Sequence, residues 1–230
     1  MKKLISIICF SLFSLTSANS IEITGGVSGN FGFLEATGTE TMGEHGVKTK
    51  RDDDAYLAYG SVFGEVHVPA FRNLSGLRVG LNYIPYALES ATTENARNDN
   101  CSHGHSNQSV GACSETMNKV QVDITDFVQT YVSYHRGPIF VKYGFINADV
   151  NTNESLATGS KYGDATLEGH FWGIGLEKEI RDGSLFLRTE AQKSSFDAIR
   201  LTSTGSDITN KIDLDDIEGM NYTLSIGKNF

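Results

Sequence analysis

Charged residues of both signs recur at alternate positions along this chain, and their spacing is the first sign of chemistry. Glu65, Arg78, Asp123, Lys142, Glu177, Arg188 and Glu190 each lie within a strand-like run, on the face opposite its large apolar side chains. Glu22 holds the same place in the first run. Charges taken out of water must be paired. A closed space lined by these residues is therefore expected to hold an ion-pair network; the alternative is a soluble sheet whose charges face water. Histidine chemistry is thinner. His67, His135 and His170 fall at strand or turn positions; His67 and His135 lie near the short turns, and His170 lies near the opposite end with Glu168 and Ser160 in its neighbourhood. No nucleophile motif accompanies them, and a lone histidine on a polar face usually belongs to an interior network. Neither catalysis nor a cofactor is expected.

The N-terminus reads as an export signal. Met1-Lys2-Lys3 is followed by an apolar run from Leu4 to Leu15 and by the small residues Ser17-Ala18-Asn19-Ser20. The run is too short to span a bilayer as a helix, which needs ~20 residues. Residues 1–20 are thus expected to be removed by cleavage after Ser20, or after Ala18. Cys9 lies in this segment with no lipobox. Cys101 and Cys113 remain, and in an exported chain a disulfide between them is expected. A metal site is the rival reading, because His103 and His105 lie between them, although the spacing fits no standard zinc pattern. Loss of Lys2 and Lys3 takes the 19 basic residues to 17 against 28 acidic ones, a net charge of −11. That balance argues against a nucleic-acid partner.

The elements that must position the charges are strands. Met220, Tyr222, Leu224, Ile226 and Phe230 share one face of the last run, and Asn221, Thr223, Ser225, Gly227 and Asn229 share the other. Val120, Val122, Ile124, Val128, Thr130, Val132 and Tyr134 alternate in the same way, with Phe127 and Tyr131 out of pattern. After a tight turn at His135-Arg136-Gly137-Pro138 come Ile139, Val141, Tyr143 and Phe145. Further runs start near 21, 54, 77, 166 and 184, and a slip of phase between Tyr59 and Val62 suggests a bulge. Eight strands result. Segments 35–53, 89–118, 147–165 and 202–218 between them are long and polar, whereas 69–76, 135–138 and 181–183 are short. Long and short connections alternate, which only an up-and-down meander converts into one end of loops and one end of turns. The four long segments hold 17 acidic and 6 basic residues, so the whole excess of negative charge collects at the loop end.

Which face is inside follows from size. The charged face also carries Gly26, Ser28, Gly32, Gly80, Gly144, Gly173, Gly175, Ser225 and Gly227, small residues that leave room in a narrow lumen. The other face is apolar, with Phe33, Tyr56, Tyr59, Tyr83, Tyr86, Tyr134, Trp172, Tyr222 and Phe230 near strand ends, as in interfacial girdles. In lipid every backbone group needs an internal partner, so the sheet must close. The expected fold is all-β, an eight-stranded antiparallel up-and-down transmembrane β-barrel.

The terminal segment resembles the last strand of Gram-negative outer-membrane barrels, with Phe230 at the end and Tyr222, Leu224 and Ile226 alternating before it. Lys228 departs from the pattern, but near an interface its amine can snorkel. Across 21–230 the plan resembles the small outer-membrane barrels of the OmpA-like, OmpX-like and Opacity type. The resemblance implies recognition of the last strand by the barrel-assembly machinery, periplasmic termini, extracellular loops, and contact with outer-membrane lipid and lipopolysaccharide. It leaves three functions open. A structural or adhesin-like surface protein with an extracellular ligand is the main expectation. A narrow pore and a lipid-modifying enzyme are the alternatives. Acidic loops, densest at Asp213, Asp215 and Asp216, offer a cation site or simple solvated charge.

Overall fold

Alternation of large apolar and small or polar residues dictates strands with two chemically distinct faces, and in the computed structural model these strands form one antiparallel sheet that closes on itself. The structure describes residues 22–41, 46–68, 75–97, 116–155, 161–180, 184–204 and 209–230. The export segment 1–20, Cys101, Cys113, His103, His105 and Ser160 lie outside these residues. The described residues hold eleven strands: β1 (Ile23–Thr41), β2 (Lys48–His67), β3 (Leu77–Tyr83), β4 (Leu88–Glu89), β5 (Thr93–Arg97), β6 (Thr116–Arg136), β7 (Ile139–Ser155), β8 (Ala165–Ile180), β9 (Leu185–Phe196), β10 (Ile199–Thr202) and β11 (Lys211–Asn229). The order around the sheet is β1-β2-β3-β6-β7-β8-β9-β11, and β1 pairs with β11 to complete the ring. β4 and β5 carry the third stave onward along β6, and β10 carries the seventh onward along β11. The barrel therefore has eight staves. Its seam runs in register from Thr24 opposite Asn229 to Glu35 opposite Glu218.

Its outer surface is an apolar belt. Val27, Phe31, Val141, Trp172, Ile174, Leu224 and Ile226 are each about half exposed. A surface of this kind is stabilised by lipid, not by water. The inward positions hold the charges and polar groups, together with Phe63, Tyr131, Phe140, Phe171 and Phe186. The inner glycines explain how rings fit there. A Cβ on Gly80 would lie 2.5 Å from the Tyr131 ring, one on Gly175 2.3 Å from Phe140, and one on Gly227 2.2 Å from Phe186. The small residues are seats for aromatic rings more than space for polar chains.

The structure corrects the sequence reading in four places. β2 has no bulge: its register with β1 is unbroken from Val66 to Lys48. The apparent slip arises because Tyr59 points inward, where its hydroxyl donates to Asn221 Oδ1 at 3.3 Å, so Tyr59 belongs to no girdle. The real irregularities lie at Asp126 in β6 and Asp216 in β11, both with left-handed backbone. The extra residue at Asp126 reverses the alternation, which brings Ile124 and Phe127 both to the interior. Finally, segments 35–53, 89–118, 147–165 and 202–218 are largely strand where they are described. β1 runs to Thr41, β2 begins at Lys48, β5 pairs with β6 from Thr93, β7 runs to Ser155, and β11 begins at Lys211. Ladder hydrogen bonds need no apolar side chain, so polar strands outside the belt pair as well as those within it.

Candidate functional site

Interior side chains change character along the barrel axis. Near the short turns they form a charged layer. Arg188, from β9, grips Glu65 of β2 with both ends of its guanidinium, Nη1 to Oε1 at 2.7 Å and Nη2 to Oε2 at 2.8 Å. Its Nε and Nη2 also donate to Glu177 Oε2 at 3.0 and 2.6 Å. Arg78 of β3 bridges the same carboxylates, at 3.2 Å to Glu65 Oε2 and 3.1 Å to Glu177 Oε1. Tyr131 donates its hydroxyl to Glu65 Oε1 at 3.0 Å. Lys142 meets Glu190 at 2.5 Å and lies 4.3 Å from the centre of the Tyr131 ring. Three carboxylates thus face three cations, and the layer is neutral. The guanidinium carbon of Arg188 also stands 5.0–5.1 Å from the rings of Phe63, Phe140 and Phe186. Planar cations stacked on rings and held by two-pronged carboxylates fill the lumen without leaving charge unpaired.

Six of the seven charges expected to meet inside do so. Asp123 does not. It lies above the Asp126 bulge, where it accepts from Gln121 at 3.0 Å and from Asn153 at 2.5 Å. The reversed alternation puts its neighbour Ile124 on the inside instead. The sequence reading passed over Tyr131, Ser133 and His135 as members of this region. His135 stacks on Phe140 and bonds Ser133 Oγ at 3.2 Å. A signal for Tyr131 was present: it broke the alternation of its run, and Gly80 and Gly144 lie opposite it on the two neighbouring strands.

Above the charges lies a layer of amides and hydroxyls. Asn30 Nδ2 donates to Ser61 Oγ at 3.0 Å, Asn221 Nδ2 to Asn30 Oδ1 at 3.3 Å, and Asn82 Nδ2 to Gln129 Oε1 at 3.1 Å. Beyond that the interior is apolar. Ala148, Leu167, Ile199 and Ile217 are buried together, and a cavity of about 60 Å³ lies between this cluster and the amides, lined by Leu34, Leu57, Leu88, Phe127 and Phe196 among others.

At the turn end the seam carries a carboxylate–imidazole–hydroxyl series. Glu22 Oε2 lies 3.2 Å from His67 Nδ1, and His67 Nε2 lies 3.1 Å from Thr24 Oγ1. The order matches an activated nucleophile. Thr24, however, has no exposed surface, and its hydroxyl donates to Asn229 Oδ1 at 2.9 Å. A substrate cannot reach it, and the series instead ties β1, β2 and β11 together. His170 faces outward beside Tyr143, with ring centres 6.3 Å apart, while Glu168 accepts from Asn147. At the other end, Asp213 stands 3.5 Å from Arg200. Among the described residues no three metal-ligating side chains converge. Tyr162, also at this end, donates its backbone amide to Glu154 at 3.1 Å; burial and then the Glu40 carboxylate raise its phenol above the ordinary range.

No family model matches the chain, and no curated protein matches it by sequence. Among solved structures it is similar to Ail, the attachment invasion locus protein of Yersinia pestis, solved with the heparin analogue sucrose octasulfate. The identity is 10%, covering 89% of this chain and 99% of that one, with a TM-score of 0.38. It is also similar to the translocator domain of the autotransporter NalP from Neisseria meningitidis, at 12% identity over 100% and 95% of the two chains, with a TM-score of 0.35. A FadL homologue from Pseudomonas aeruginosa gives 6% identity over 91% and 90%, with a TM-score of 0.32. All three are outer-membrane β-barrel proteins. Likenesses this distant say nothing about activity.

Proposed function

We propose that this chain is an outer-membrane barrel that acts as a scaffold and surface-interaction protein, adhesin-like, with both termini periplasmic and its long hairpins outside the cell. One observation carries the reading: a lumen filled by a neutral layer of ion pairs and rings, from which polar strands continue well past the apolar belt. A filled lumen serves stability rather than conduction. Strand pairs that project from lipid are rigid and exposed, which suits contact with a ligand. The partners in this reading are outer-membrane lipid, lipopolysaccharide, the barrel-assembly machinery and an extracellular ligand. Protease treatment of intact cells tests it. Cleavage confined to residues 42–54, 89–118, 149–164 and 202–216, with slower gel migration after boiling, is the expected result. Cleavage at the 135–138 turn of intact cells, or migration indifferent to heat, overturns the topology.

The apolar cavity favours a second reading, a narrow route for small apolar molecules. The charged layer beneath the cavity closes the way through the lumen, so such a route would leave sideways between staves. Uptake of an apolar dye that Leu57→Trp blocks, without ionic current in planar bilayers, would support this over the surface reading.

A further inference from the structure

The most unusual feature of the wall is that β2 loses one of its neighbours. β1 accompanies it from Lys48 to Val66, but β3 does so only from Val62 to His67. Beyond Tyr83 the third stave turns aside through Ile84 and Pro85, and β4 and β5 then pair with β6 alone. The split begins where the Tyr86 hydroxyl accepts the amide of Gly60. The Gly60 amide therefore points away from β1. In an antiparallel ladder the direction alternates, so Lys50, Asp52, Asp54, Tyr56 and Ala58 also turn their N–H and C=O groups to the open side. No strand among the described residues pairs with them there. Residues 50–56 are exposed in full accord with this.

A bare edge of this length pairs readily with another strand unless something blunts it. Neither a proline nor a bulge blunts it, and its register is unbroken; its charged side chains are what guard it against indiscriminate pairing. Its charges are ordered rather than scattered. Lys48, Lys50 and Arg51 come first, Asp52, Asp53 and Asp54 next, and Tyr56 and Ala58 last. We propose that this edge binds an extended peptide by strand addition, the peptide lying antiparallel to β2, apolar at its start, basic in its middle and acidic at its end. Main-chain hydrogen bonds supply the affinity and cross-strand charge pairs set the register. The proposal deepens the surface-interaction reading and rests on it: it names the surface and the chemistry of the partner.

The test uses the full mature chain refolded into lipid nanodiscs. The probe is a synthetic extended peptide with valine and threonine first, lysines next and glutamates last; its control has the lysines and glutamates exchanged. Fluorescence anisotropy is expected to show saturable binding of the probe and much weaker binding of the control. Amides of Lys50, Asp52 and Asp54 should exchange freely without the peptide and become protected with it, while those of Arg51 and Asp53, which face β1, are protected throughout. Lys50→Pro combined with Asp54→Pro removes two outward donors and leaves the β1 ladder intact. It should weaken binding about tenfold or more, with heat-modifiable migration unchanged. Equal binding of probe and control, or undiminished binding by the double proline variant, overturns strand addition. Trypsin treatment of intact cells separates this from failure of the parent reading. If 48–51 is protected there while nanodisc binding follows the pattern above, the edge is real but does not face outward.

Discussion

The turn-side third of the barrel and its outer third differ in how completely each stave is enclosed. Near the turns every stave has two neighbours, every inner glycine that faces a ring is matched to it, and six charges cancel within hydrogen-bond distance. Toward the outer end the ladders run on, but the third stave detaches from β2, the lumen turns apolar, and the charged residues of β2 stand exposed on both faces of the strand. The first arrangement pairs every charge in a medium without water, and only single atoms such as Arg78 Nε and Glu190 Oε1 lack a hydrogen-bond partner. The second leaves backbone groups open where water can serve them. The contrast teaches where tolerance should lie: sequence change near the turns acts on folding, and change at the outer end leaves folding largely untouched.

The largest break in that contrast should come from Gly227→Val. Its new Cβ would enter the Phe186 ring, which has no room to retreat. We expect no heat-modifiable species on refolding, and partial recovery when Phe186→Leu is added. Glu65→Ala comes next. It strips Arg188 and Arg78 of a shared partner in a buried layer, a loss of about 3–5 kcal/mol by urea unfolding in vesicles. A loss below about 1 kcal/mol would show that the layer is solvated and would erase the difference between the two ends. Thr24→Val keeps the shape but removes the seam bonds to His67 and Asn229, and should cost about 1–2 kcal/mol. The smallest effect belongs to the outer end. Lys119 and Glu94 are about half exposed, so Lys119→Ala should shift unfolding by under about 1 kcal/mol, fading further in high salt.

How far this was legible in the sequence follows the same division. Strands within the belt were plain, because a bilayer forces strict alternation and because both faces of runs such as Ile139–Phe145 and Met220–Phe230 are marked by size and polarity. The pairing of Glu65 with Arg188 could be expected as a class but not as a pair: they lie 123 residues apart and meet only because the ring closes. Asp123 was misplaced because the extra residue at the bulge puts the residues before it out of phase with those after it, and Asp126 carries no signature beyond its tolerance of left-handed backbone. The outer strands were hidden for a different reason. Outside lipid and core, a paired strand has no need of an apolar face, and Glu35–Thr41 or Lys48–Asp54 read as loop until their partners are known.

The seam sets a clock as well as a boundary. Thr24 and Asn229 are neighbours across it yet 205 residues apart along the chain. β1 is complete long before β11 exists to cover it, and contacts of such long range are slow to form. During that interval the edge of β1 that will receive Asn221–Asn229 lies bare, and it would pair with any other strand that reached it first. Correct closure therefore requires that this edge stay unpaired until the last strand reaches it, and that it accept no other.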